Sequence, residues 1–447
     1  MNDRFEQPAL VAVLKGSATA LVIKFTASVL GLAMFALASR QMDPAAFGSL
    51  AVIFNAMSFL AAAALCGQET LIVRSWNEYC GSNRPALARG GLIVGALVVL
   101  GAALLTTFGT ALAWSIWDPA VSIALLAAAC SFLFMQSLMH FSGQFARVAA
   151  GLVIGDAPRE AMWRLIVVAV LAVHHISGVD FGAPEFFFVS AAAIAIAVTF
   201  QNWWVAKVIP EPVKRAKGEY DLRSWVPRSL KMWLSATLDT TGQYLEVVVI
   251  GLFLGPEAAG FYFVATRISN GFAMISGSLS VYATSRISAL FYADAKDHLQ
   301  GMLRSLAIIG AILVGAALII TVVAGKWLLL AFGPAYVAAY PALLVLAAGA
   351  SIGALAGPAA HVLLLTGREG AYPRIMACGI VLRFLLLAVL GPVFGLMGAA
   401  VAWAVSAAAI GVALIIASRR LVGLDPSVRS ALPRGWPAMA WLKGDAL

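Results

Sequence analysis

The chain consists of long apolar runs separated by short polar gaps. Runs long enough to cross a bilayer fall at about 17–39, 45–66, 90–114, 119–139, 161–177, 185–206, 231–254, 258–282, 303–324, 340–365, 374–393 and 395–417. A spanning helix needs roughly 17–25 such residues. In lipid a spanning backbone must satisfy its own polar groups, so these runs are read as helices. The spans at 119–139 and 161–177 have the least defined ends.

The gaps sort the charge. With the termini and every second gap placed on one side, that side collects nearly all Lys and Arg in the gaps and at the span ends. They run from Arg4 and Lys15, through Arg74, Arg147, Arg159 and Arg164, to the 207–231 cluster and on to Arg434 and Lys443. The other side holds only Arg40 and Lys326. The positive-inside rule makes the basic side cytoplasmic, with both termini on it. A bacterial inner-membrane location is expected. The polar segment 1–15 and the lack of a small-residue cleavage site after the first run predict that this run is retained as an anchor.

Composition agrees. Hydrophobic residues make up 62% of the 447 and charged residues 11%, against about 25% charged in soluble domains. The net charge of +9 is mostly topogenic and needs no nucleic acid; anionic lipid can share in it. The cysteines, Cys66, Cys80, Cys130 and Cys378, show no Cys-x-x-Cys spacing and are read as packing residues.

A short internal repeat divides the chain. Pro44-Ala45-Ala46-Phe47-Gly48 with Arg74 recurs as Pro256-Glu257-Ala258-Ala259-Gly260 with Arg286, at an offset of 212 residues. Repeats of this kind mark transporters whose substrate site lies between related halves. The expected organisation is a six-helix lobe over 1–208, a cytoplasmic linker over 209–228, a second six-helix lobe over 229–418 and a cytoplasmic tail over 419–447. In that tail Trp436 and Trp441 fit the headgroup layer. The fold class is an all-α integral membrane protein, with about twelve helices in two pseudo-symmetric lobes around a central cavity.

Five charges lie well inside the spans, away from their ends: Lys24, Asp239, Glu246, Arg267 and Arg383. Each costs about 2.5–3.5 kcal/mol at a helix centre, so such groups face a cavity or a partner. Lys24 can snorkel to the cytoplasmic headgroups; Arg383 sits near mid-span. Asp239, Gln243 and Glu246 follow steps of four and three and should share one helix face. Arg267 and Asn270 follow on the next helix. Glu246 and Arg267 should reach similar depth, which leaves two readings open. One is an ion pair that locks two helices together. The other is a polar cavity wall, with Gln243, Asn270, Arg267, Arg383 and Lys24 contacting substrate and Asp239 or Glu246 taking up H⁺ or Na⁺. Gly-x-x-x-Gly spacings, as at Gly349/Gly353/Gly357, fit close helix approach. His174-His175 lacks a third ligand at metal spacing. No phosphate-cradling loop, HExxH or Gly-x-Ser-x-Gly occurs. No enzymatic activity, cofactor or metal is expected.

Three stretches carry a family resemblance: Leu37-Ala38-Ser39-Arg40 with Phe47-Gly48, Gly67-Gln68-Glu69-Thr70-Leu71-Ile72-Val73-Arg74, and Pro392-Val393-Phe394-Gly395-Leu396-Met397-Gly398-Ala399-Ala400. With the twelve-span plan, the chain resembles the multidrug/oligosaccharidyl-lipid/polysaccharide exporter superfamily, and within it the O-antigen-type flippases. The resemblance implies alternating access for a polyprenyl-pyrophosphate-linked oligosaccharide. The glycan and pyrophosphate would pass through a cationic cavity while the lipid tail stays among membrane lipids. Lys24, Arg267 and Arg383 match that cationic character. Glycosyltransferases or a polymerase of the same polysaccharide pathway are the implied partners. Two rivals remain: a cation-coupled multidrug exporter of the same fold, and a membrane-embedded polysaccharide polymerase or ligase, against which the short loops count.

Overall fold

The computed structural model describes residues 3–179, 181–293, 295–368 and 370–431. The helices are α1 (Asp3–Arg40), α2 (Pro44–Ala63), α3 (Gln68–Gly81), α4 (Pro85–Trp117), α5 (Ile123–Ala150), α6 (Leu152–Ala157), α7 (Trp163–Ser177), α8 (Ala183–Val208), α9 (Glu211–Arg215), α10 (Leu222–Thr240), α11 (Glu246–Leu254), α12 (Pro256–Tyr292), α13 (Lys296–Leu330), α14 (Tyr340–Leu355), α15 (Ala359–Leu365) and α16 (Ala371–Leu421). Two π-helical turns, Pro158–Met162 and Thr241–Leu245, join α6 to α7 and α10 to α11. Among the described residues nine helical stretches are long and apolar enough to span. One of them, α16, is two helices broken at Gly395, whose φ of 56° a side chain would resist. With α12 and the α10–α11 segment, the expected count of about twelve crossings stands. The protein is a multi-pass membrane protein.

By packing, the chain forms two compact units. The first comprises Met1–Val264 with Leu330–Val337, the second Ala265–Leu329 with Ala338–Leu447. In the first, aromatic rings fill the space between helices. Phe35 lies 5.1 Å from Phe54 and 4.7 Å from Phe263, and Phe54 lies 5.3 Å from Phe132. Edge-on pairs of this kind add about 0.5–1.5 kcal/mol beyond burial. Asp43 caps α2, accepting hydrogen bonds from Ala45 N and Ala46 N at 2.9 Å, and Pro44 opens it.

The 209–228 segment is tied to the first unit. Glu219 N donates to Ala86 O at 3.0 Å, and Arg89 donates to the carbonyls of Lys214 and Ala216. Trp225 Nε1 donates to Tyr79 Oη at 2.7 Å. After it, α10 packs on α2 and α3: Gln68 Nε2 donates to Ser229 Oγ at 2.9 Å and Trp233 Nε1 to Ala63 O at 2.7 Å. The packing boundary therefore falls inside α12, later than the 209–228 segment.

In the second unit α14 and α16 meet through small residues. A Cβ on Gly349 would lie 2.5 Å from Ala404 Cα, so this helix pair needs the glycine. The start of the tail folds back on α13: Gln300 Nε2 donates to Asp425 O at 2.8 Å, and Asp425 N to Gln300 Oε1 at 2.9 Å. Residues 432–447, with Trp436 and Trp441, lie outside the described residues.

Candidate functional site

The first unit contains a charged wall that the apolar pattern hides. The expected span 161–177 begins earlier. From Leu152 to Ser177 the chain is one continuous spanning stretch with a π turn at Pro158–Met162. Arg159 and Arg164, expected among the cytoplasmic charges, therefore lie about 10 and 18 Å into it. Pro158 explains the π turn. It has no N–H to give, so the ladder widens there, and such turns recur at functional sites. The indole N–H of Trp163 donates to Arg159 O at 2.8 Å.

Ion pairs set the side chains. Arg159 Nη2 lies 3.4 Å from Asp156 Oδ1 and 3.1 Å from Glu160 Oε1. Arg164 Nη1 donates to Glu160 O and lies 3.3 Å from Glu160 Oε2, and its guanidinium is 5.0 Å from the Trp163 ring centre. Glu160 is thus held between two arginines. Both stay reachable, with side chains 16% and 24% exposed. Two glycines make room: a Cβ on Gly143 would sit 2.7 Å from Arg159 Cδ, and one on Gly31 would touch Arg164 Cδ and Nε at 4.0 Å.

Neighbouring helices complete the wall. Lys24 is exposed and lies two turns before Gly31, hence on the α1 face that meets Arg164. On α5, His140 lies in the field of Arg159, Glu160 and Arg164; on α3, Glu69 lies in that of Arg159. Ser58 and Gln136 hydrogen-bond across α2 and α5. Glu69 Oε2, His140 Nε2 and Arg159 Nε are buried without a hydrogen-bond partner among the described residues. Buried polar atoms are rarely left so, and such clusters mark sites that take water or a ligand.

The other expected residues divide. Asp239 and Gln243 are exposed, whereas Glu246 is only 4% exposed and accepts a hydrogen bond from Tyr262 Oη at 2.7 Å. The π turn at Thr241–Leu245 lies between them, so the one-face arrangement expected from a 3.6-residue period does not form. Glu246 belongs to the first unit and Arg267 to the second. On α12 Arg267 is half-buried and Asn270 exposed. Arg383 is 8% exposed, turned into its own unit, with Nε donating to Ser406 Oγ at 3.0 Å and the guanidinium 5.6 Å from the Trp403 ring centre. Among the described residues no three His, Cys, Asp or Glu gather as a metal site.

Arg159 escaped the sequence reading because Gly151 and Pro158 look like loop punctuation, and Arg164 because it falls in the first turn of the expected span 161–177 and passed as part of its cytoplasmic end. The recoverable signal is the charge spacing: Asp156/Arg159 at i,i+3 and Glu160/Arg164 at i,i+4 is helical.

No family model and no curated protein sequence matches the chain. Solved structures do. An inward-facing multidrug resistance MATE family transporter of the MOP superfamily aligns with a TM-score of 0.75 at 12% identity, covering 91% of this chain and 98% of that one. The lipid II flippase MurJ, in an inward closed conformation, aligns with a TM-score of 0.65 at 13% identity, covering 90% and 87%. A MOP superfamily transporter from Pyrococcus furiosus, described by a reversed polarity of its binding pocket, gives 0.61 at 14%, covering 92% and 95%. At these identities the likeness establishes the fold: the chain is built as these membrane proteins are.

Proposed function

We propose that the protein is a flippase that carries a polyprenyl-pyrophosphate-linked oligosaccharide across the inner membrane by alternating access, for surface or secreted polysaccharide. The observation that carries this reading is the pair of arginines with partly exposed side chains, Arg159 and Arg164, inside a spanning helix. A pyrophosphate loses much hydration on leaving water, and arginine forks replace it with paired charge-assisted bonds. In the resting wall Glu160 occupies both arginines. On binding, phosphate oxygens displace Glu160 from Arg164, and Lys24 adds charge from α1. The wall is balanced by Asp156, Glu160 and Glu69, so the substrate exchanges with resident carboxylates rather than entering an uncompensated cationic pit.

Further parts of the proposal follow from the sequence. Lobes 1–208 and 229–418 rock about the cavity, joined by 209–228, with 419–447 on the cytoplasmic side. Arg267, Asn270, Gln243 and Arg383 contribute from the second lobe, and Asp239 or Glu246 carries the coupling ion. The likeness to MurJ, whose description is a lipid II flippase, supports a lipid-linked cargo.

A second reading has its own observation: three acids, Glu69, Asp156 and Glu160, share the wall with the arginines, and acids suit the cationic drugs of a multidrug exporter. Deletion of the gene separates the two. The flippase reading expects loss of a surface or secreted glycan and accumulation of polyprenyl-linked repeat units on the cytoplasmic side. Normal glycan with altered drug tolerance overturns it in favour of the exporter.

A further inference from the structure

A cavity of about 310 Å³ lies in the first unit between α4, α5 and α8, away from the charged wall. Leu92, Val99, Phe141, Phe145, Val205 and Ile209 give it an apolar lining. Two polar side chains also reach it, Ser142 and Asn202. The Ser142 hydroxyl is spent, donating to Gln201 Oε1 at 2.6 Å. That leaves the exposed carboxamide of Asn202 as the polar group on offer.

The cavity follows one face of α8. Val198, Asn202, Val205 and Ile209 are spaced by four, three and four residues, and the stretch is about 16 Å long. That is a channel for a chain rather than for a compact ligand. Beside it, exposed Leu97, Val98 and Leu100 make the surrounding surface apolar. Toward the Ile209 end of α8, on the face opposite the cavity, exposed Phe200, Trp203 and Trp204 cluster with ring centres 6.1–6.3 Å apart. Tryptophans gather where headgroups meet hydrocarbon. The Ile209 end of the cavity is therefore at headgroup level and the Val198 end among acyl chains.

Charge selects the headgroup. The ammonium of Lys207 lies 3.3 Å from the Trp203 ring centre. Beyond Ile209 the chain turns into α9, where Val213 is buried in the same apolar cluster as Val205 and Phe145. Between 207 and 217 stand Lys207, Lys214, Arg215 and Lys217 against the single acid Glu211. We infer that this cavity is a binding site for an anionic glycerophospholipid of the leaflet on the basic side. One acyl chain fills the α8 channel, the ester region meets Asn202 and the phosphate lies toward Lys214 and Lys217, whose segment packs on Arg89 and Gly90 of α4 beside the lining residue Leu92. A hydrogen-bond path links the site to the helix that carries the charged wall. Gln201, held by Ser142, donates through Nε2 to the carbonyls of Ile154 and Gly155 at 2.8 and 2.9 Å, at the start of the stretch that carries Arg159.

The test is thermal unfolding of the full-length protein in detergent, titrated with phosphatidylglycerol or with phosphatidylcholine of the same chains. Phosphatidylglycerol should raise the midpoint well above the effect of phosphatidylcholine. Ala206→Phe and Ala96→Phe, each of which fills the lining, should abolish that difference; two variants are used in case one fails to fold. Lys217→Gln should weaken the apparent affinity for phosphatidylglycerol about fivefold, the usual effect of one basic residue near an anionic surface. Equal effects of the two lipids on the native protein overturn the proposal, as does a phosphatidylglycerol shift undiminished in the folded filled variants. A shift produced by polyprenyl phosphate but not by phosphatidylglycerol overturns it too, by assigning the channel to an isoprenoid chain.

Discussion

Gly48 and Gly260 occupy the same place in the internal repeat, 212 residues apart, and they touch. A Cβ on Gly48 would lie 1.8 Å from the Pro256 carbonyl oxygen. A Cβ on Gly260 would lie 3.0 Å from Gly48 Cα and 3.3 Å from the Pro44 carbonyl oxygen. The contact is reciprocal: each glycine meets the backbone four residues before the other. That is the pattern of a two-fold contact between equivalent surfaces, here made within one chain by the starts of α2 and α12.

The asymmetry of the two distances gives a ranking. Gly48→Ala drives a methyl into a backbone oxygen that no side-chain movement can relieve, whereas Gly260→Ala needs a shift of a few tenths of an ångström. Overpacking of this kind costs about 1–3 kcal/mol. Thermal unfolding of purified protein should show a clear drop for Gly48→Ala and a smaller one for Gly260→Ala. Equal midpoints for the two variants would refute the reciprocal contact.

Arg159 is bound to Asp156, whose side chain is only 6% exposed. Removing one partner of a buried pair strands the other and costs about 3–5 kcal/mol. Arg159→Ala should therefore destabilise strongly, and adding Asp156→Asn should recover much of the loss. A double-mutant cycle on the unfolding midpoint measures the coupling; additive losses would show that the pair contributes nothing.

Arg164 should separate binding from stability. Its charge pairs with Glu160 on its own helix at 3.3 Å, so Arg164→Gln should leave the protein folded and in the membrane. Export of the lipid-linked glycan, followed by surface polysaccharide, should fall at least tenfold. Arg164→Lys should restore little, because an ammonium cannot present a planar fork to phosphate. Full export by Arg164→Gln would remove this arginine from the site.

Tyr262 donates to the buried Glu246 carboxylate at 2.7 Å. Hydrogen bonds to charged groups are worth about 1.5–3 kcal/mol. Tyr262→Phe should lower stability by about that amount, and the loss should shrink when Glu246 is also changed to Gln. A loss unchanged in the Gln background would show that the phenol acts elsewhere.

The 211–219 segment should behave as a clamp. Gly90 has no room for a side chain, since a Cβ would lie 1.8 Å from Glu219 O. Gly90→Val should lift the segment from α4 and free the backbone around Lys214, Arg215 and Lys217, which Arg89 holds at the Lys214 and Ala216 carbonyls. Limited trypsin digestion should then cleave there several times faster than in the native protein, with the transmembrane core intact. Unchanged cleavage would mean that the segment is held elsewhere.

The sequence alone was enough for the solvent, the helical class and the number of crossings. These depend on local hydropathy summed over a span, and no long-range contact can reverse them. It also found the repeat that brings Gly48 to Gly260, because a proline and a glycine at matched positions are visible without a fold. The polar wall was decided only in three dimensions. Whether Arg159 lies in a loop or in a helix depends on the π turn at Pro158 and on the space left by Gly143. Whether Glu246 joins Asp239 depends on the π turn at Thr241–Leu245 and on where Tyr262 stands. A single inserted residue in a helical ladder rotates every later side chain by about 100°, so periodicity loses track of the facing side beyond each π turn, and only packing restores it.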